Sequence, residues 1–137
     1  MNVFDLHLGA WAGTNVVLDA NDREIERFET QIVCSRDGDA WLQKTIRKGS
    51  EERSRESEYT GTFRTENELI YDHPNVQGRA VAMTDRDIVT AWVDADVPDV
   101  RFVSIITLVA DNERVHTVQK IENDQLTARI LIREHRT

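Results

Sequence analysis

Polar and apolar residues alternate in short runs along most of the chain, and each run ends in residues that favour turns. Trp11 to Asp19 alternates weakly and stops at Ala20-Asn21-Asp22. Glu24 to Arg36 sets Phe28, Thr30, Ile32 and Cys34 at every second position, one face of a strand, and Asp37-Gly38-Asp39 then turns the chain because Asp and Gly tolerate positive φ. Ala40 to Lys48 repeats the pattern with Trp41, Gln43, Thr45 and Arg47, and a polar loop follows at Gly49 to Ser54. Glu58 to Arg64, Glu68 to Asp72, Val76 to Met83 and Arg86 to Ala95 read as four more strands. Val100 to Ala110, the longest apolar run, is expected to lie deeply buried. Asp111-Asn112 and Asn123-Asp124 separate two last strands, Glu113 to Glu122 and Gln125 to Glu134. Helical periodicity is confined to Asn2 to Leu8, where Val3, Phe4, Leu6 and Leu8 suit one short turn on the end of a sheet. About ten strands at regular spacing describe an all-β sandwich or barrel.

Short turns between successive strands predict an antiparallel up-and-down meander. Left open, such a sheet would present two long unpaired edges, and closing it into a barrel removes them. Eight to ten strands leave room inside for a small ligand. Several strand faces mix polar and aromatic residues. Thr45 shares a face with Trp41 and Gln43, Ser104 stands between Phe102 and Ile106, and His116 stands between Arg114 and Val118. Facing inward, these residues suit a wet or ligand-filled cavity better than a dry core. Facing outward, they only cover the surface.

The chain has 137 residues, which fits a single domain over 1–137, long enough to bury its own core. Its mean hydropathy is −0.52. No apolar run approaches the ~20 residues of a spanning helix, and Met1 to Gly9 lacks the basic and apolar regions of a signal peptide. Cys34 is the one cysteine, so no internal disulfide forms and a reducing, cytoplasmic setting is expected. A net charge of −8 opposes nucleic acid. The basic run of Lys44, Arg47, Lys48, Arg53 and Arg55 is broken by Glu51, Glu52, Glu56 and Glu58, as on a solvated edge.

Candidate chemistry is sparse. His116 and Arg114 are candidates to polarise a carbonyl or shuttle a proton, and Tyr59 is a third candidate catalytic group. Trp41, Thr45, Phe63, Trp92, Phe102 and Ser104 are candidate ligand-lining residues, although aromatics at alternate strand positions equally build cores. Arg79 and Arg101 are candidates to clamp a ligand carboxylate, with Glu134 and Tyr71 as weaker acid–base candidates. His7, His73 and His135 fall in end or turn regions. Cys34 shares a face with Ile32 and reads as buried and inert. No spacing suggests a metal site, a phosphate loop or a nucleophile elbow, so no metal and no cofactor are expected.

The opening Gly9-Ala10-Trp11-Ala12-Gly13 resembles the Gly-x-Trp at the first barrel strand of lipocalins and other calycins. In that family the tryptophan plugs the closed end of the barrel and an arginine of the last strand lies across it. The resemblance implies that role for Trp11, with Arg133 the best placed partner and Arg129 and Arg136 as alternatives. Together with Arg114-Val115-His116-Thr117, Asn123-Asp124-Gln125-Leu126 and Ile132-Arg133-Glu134, the chain is similar to an uncharacterised calycin family related to the phycobiliprotein lyases. The expected function is binding of a small apolar or amphipathic molecule inside the barrel. The alternative is an isomerase, cyclase or lyase of the same fold acting on an enclosed hydrophobic substrate. An oligomer is left open.

Overall fold

The computed structural model describes residues 2–48 and 55–137. The polar loop expected over 49–54 lies outside them. Ten antiparallel strands follow a 3-10 turn at Val3–His7: β1 Gly9–Asp19, β2 Glu24–Asp37, β3 Ala40–Lys48, β4 Arg55–Thr65, β5 Glu68–Tyr71, β6 Val76–Ala82, β7 Asp87–Asp94, β8 Val100–Ala110, β9 Glu113–Glu122 and β10 Gln125–Arg136. Each strand pairs with its neighbours in sequence, and β1 pairs with β10 to close the barrel. The expected meander and the short N-terminal helical segment are both present. No helix among the described residues is long and apolar enough to cross a membrane.

Alternation decides what enters the barrel. On β2, Phe28, Thr30, Ile32 and Cys34 are buried while their neighbours are exposed. Val100 to Ala110 is the exception to expectation. Its even positions Ser104 and Leu108 are buried, yet Ile105 is 44% and Val109 47% exposed. An apolar run on a barrel strand still sends every second side chain outward, so the run as a whole is not deeply buried.

The turn closes one end. The Asn2 side chain accepts from the Phe4 N–H and caps it. Phe4 then inserts among Trp41 and Phe63, whose rings lie 5.9 and 5.0 Å from its own in edge-to-face contact. Leu69, Ile88 and Leu108 complete this core.

Further along the barrel Gly78 of β6 stands opposite Trp92 of β7. A Cβ there would lie 2.1 Å from the Ala91 carbonyl oxygen and 2.7 Å from the Trp92 Cα, so both atoms are backbone that must shift. Gly78→Ala is therefore expected to destabilise the fold by about 1–3 kcal/mol in urea unfolding. A loss inside ~0.5 kcal/mol, the usual range for surface changes, would mean that β6 and β7 separate freely at this point.

Candidate functional site

Trp11 lies at the base of the barrel, fully buried. Its indole N–H donates to the His7 carbonyl at 3.1 Å, which ties β1 to the 3-10 turn. Two guanidinium groups stack on its ring, Arg114 at 4.3 Å and Arg136 at 4.2 Å. Arg136 also donates to the carbonyls of Leu6, Leu8 and Asp111. The β1–β10 register pairs Trp11 with Arg136 and Gly13 with Glu134. Arg133 is thus one residue out of phase, exposed on the outer face, and does not fill the role expected of it. Arg129 binds Asp22 at the surface.

A buried charged group lies beside the plug. The Arg114 Nε donates to Glu134 Oε1 at 2.8 Å, and His116 Nε2 touches the same oxygen. Arg114 Nη1 lies 3.2 Å from His7 Nδ1. Gly13 makes room for this arrangement, because a Cβ there would meet the Glu134 Cγ at 2.6 Å. Burial, then the charge of Arg114, lowers the His7 pKa to about 3. Burial likewise lowers His116, against the pull of Glu134. Burial opposes the charge on Glu134, but His116 and Arg114 outweigh it and hold the carboxyl below its ordinary range. Among the described residues, Glu134 Oε2 and His7 Nε2 find no hydrogen-bond partner.

Above this group lies an interior void of about 30 Å³, lined among others by His7, His116, Arg114, Tyr59, Tyr71 and Cys34. That is space for one or two waters. Tyr59 and Tyr71 meet edge to face at 5.1 Å, and burial pushes both phenols well up. Burial also raises the Cys34 thiol to about 11, in line with an inert cysteine.

Of the residues singled out in the sequence, the void gathers His116, Arg114, Tyr59, Trp41, Tyr71 and Cys34. Phe63 instead fills the base under Phe4. Ser104 is buried and bonded to Thr90 at 2.5 Å, and Thr45 is half-buried on the face of Trp41. Trp92 and Phe102 stack on each other at 5.0 Å and border a separate hollow of about 280 Å³ with Gly78, Ala91, Val103 and Ile121. Arg79 and Arg101 point outward and pair with Glu68 and Asp124, so neither clamps an interior ligand. Two contributors carry little signal in the sequence. His7 falls in an end region, and Glu134 is only a weak acid–base candidate. The helical signal of Asn2 to Leu8 was the available clue to His7.

The barrel is a closed, ten-stranded, lipocalin-like fold. No protein-family model matches the sequence, and neither does any curated protein. Among solved structures, a protein of unknown function from the DUF3598 family of Nostoc punctiforme aligns with all of this chain at 19% identity and a TM-score of 0.80. This chain spans about half of that protein, 49% of its length. The S-type phycobiliprotein lyase CPES from Guillardia theta aligns over 100% of this chain and 93% of its own, at 11% identity and a TM-score of 0.78. A redesigned β-barrel, mFAP1, bound to DFHBI, aligns over 96% of this chain and 98% of its own, at 14% identity and a TM-score of 0.53.

Proposed function

We propose that the barrel binds one small, largely apolar molecule, with its polar head at the His7–Arg114–His116 end of the interior void. One observation carries the reading: a void walled by Tyr59, Tyr71, Leu69 and Ile88 ends on ionisable groups that are buried and incompletely paired. Buried polar groups are normally satisfied, and those that are not invite a ligand or ordered water. The hollow beside Trp92 is larger, but outward-pointing Ala91, Val93, Val103 and Ile121 make up much of its lining and only Arg101 brings a charge. The likeness to a barrel bound to DFHBI and to a phycobiliprotein lyase supports the binding reading. A molecule larger than two waters displaces side chains towards Trp92 and Phe102, which are only half-buried. Catalysis on such a ligand is the second reading, favoured by two neutral histidines at one void. The lone buried Cys34 suits a reducing, cytoplasmic setting.

The test is native mass spectrometry of gently purified protein together with fluorescence titration with DFHBI and with the hydrophobic dye ANS. A stoichiometric adduct, or saturable 1:1 binding of either probe that Ala80→Leu weakens at least tenfold by filling the void, is the expected result. A bare mass with no saturable binding of either probe would overturn the proposal.

A further inference from the structure

The His7 ring has a determined tautomer. An arginine guanidinium carries only donors, so the Arg114 Nη1 contact at 3.2 Å requires His7 Nδ1 to be the acceptor. Neutral His7 must then carry its proton on Nε2. That N–H is buried and has no partner among the described residues, while the residue is 2% exposed and lines the void. The backbone on both sides of it is tied down. Trp11 holds the His7 carbonyl, and Arg136 holds those of Leu6 and Leu8. An unsatisfied buried donor carries a desolvation penalty that an incoming acceptor would recover.

Resting on the binding function proposed above, we infer that His7 Nε2–H is the seat for a neutral carbonyl oxygen of the ligand, an aldehyde, ketone or amide rather than a carboxylate. The void that His7 lines has space for one or two waters, which is room for an oxygen atom. A carboxylate is the poorer fit. It would enter a site where Glu134 already supplies a buried negative charge for Arg114, and it would lose its own hydration. The other guanidinium, Arg136, spends its donors on three backbone carbonyls. A neutral oxygen takes the free N–H and leaves the existing charge pairing intact. With Arg114 behind the ring, the imidazole is polarised and its N–H donates more strongly.

Three probes of matching shape test this: 2-acetylnaphthalene, 2-isopropylnaphthalene and 2-naphthoate, titrated into the full chain. The ketone is expected to bind roughly tenfold tighter than the hydrocarbon, the equivalent of one buried hydrogen bond. His7→Phe should abolish that preference and leave hydrocarbon binding in place. His7→Gln should restore it, because its amide oxygen can accept from Arg114 while its amide nitrogen reaches the Nε2 position. If His7→Phe does not fold, 15N spectra of the imidazoles in the unaltered protein still decide. They should show His7 Nδ1 unprotonated, and the Nε2–H resonance should shift on addition of the ketone. Equal binding of ketone and hydrocarbon overturns the seat while leaving the binding reading standing. Tighter binding of the naphthoate overturns the neutral-carbonyl assignment. Binding of none of the three overturns both proposals.

Discussion

Trp11→Ala is expected to lower the unfolding free energy by about 3–5 kcal/mol, the range for deleting a large buried aromatic. Trp11 touches no solvent, and it lies where the 3-10 turn, β1 and two cationic side chains converge. Truncation removes the indole surface under both guanidiniums and the donor to the His7 carbonyl. The base cannot collapse to fill the hole, because Arg136 is anchored to Leu6, Leu8 and Asp111 carbonyls. Trp11→Phe should recover part of the loss, since a phenyl ring still offers a face to the arginines but no N–H. Urea melts of the three proteins give the comparison. A loss below ~1 kcal/mol for the alanine variant, no more than an ordinary surface change, would show that Trp11 is not the plug.

The strands were legible in the sequence because period-two alternation is a local property. Phe28, Thr30, Ile32 and Cys34 announce the inward face of β2 without reference to any other strand. Strand ends were less legible. β4 begins at Arg55 rather than Glu58, because Arg55, Glu56 and Ser57 pair through their backbones with Arg47, Ile46 and Thr45. Backbone pairing needs no apolar side chain, so it leaves no mark in the pattern. The buried Ser104 and Thr90 show the converse. They are polar yet inside, and each satisfies the other.

The plug was legible but its partner was not. Which arginine of β10 meets Trp11 depends on the register between the first and last strands, and a one-residue difference exchanges the inner for the outer face. Arg133, Glu134, His135 and Arg136 alternate in facing, and the register of β1 against β10 turns Glu134 and Arg136 inward. Once that parity is fixed, Glu134 meets Arg114 and His116 on β9, and the site assembles from residues that each looked ordinary alone. His7 is harder still. Its position follows from the turn folding under the barrel, a tertiary event that a seven-residue helical signal does not encode.

Glu134→Gln is expected to cost about 3–5 kcal/mol near neutral pH, the penalty for leaving a buried charge without its partner. Arg114 and Glu134 are both essentially inaccessible, with 3% and 0% of their side chains exposed, so water cannot take over the lost interaction. The pH dependence gives a sharper check. Arg114 and His116 hold the folded Glu134 carboxyl below its ordinary range. A depressed carboxyl contributes its stability in full above its unfolded pKa of about 4.3 and loses it as pH falls towards the folded value. The gap between wild type and Glu134→Gln should therefore be widest above about pH 5 and narrow in acid. His7 acts on a higher window and in the same direction. It is neutral in the folded chain down to about pH 3, whereas in the unfolded chain it takes a proton near its ordinary value of 6.5. Between those values the unfolded state binds more protons, so stability falls as pH falls. The slope is about 1.4 kcal/mol per pH unit for one such histidine. Wild-type melts should thus weaken already between pH 6.5 and 5, before any carboxylate titrates, and His7→Gln should remove the share of that slope due to His7 while leaving the share of His116, which burial also keeps neutral. A wild-type stability that stays level down to pH 5 would mean that His7 is free to protonate in place, and the tautomer required by Arg114 would be wrong.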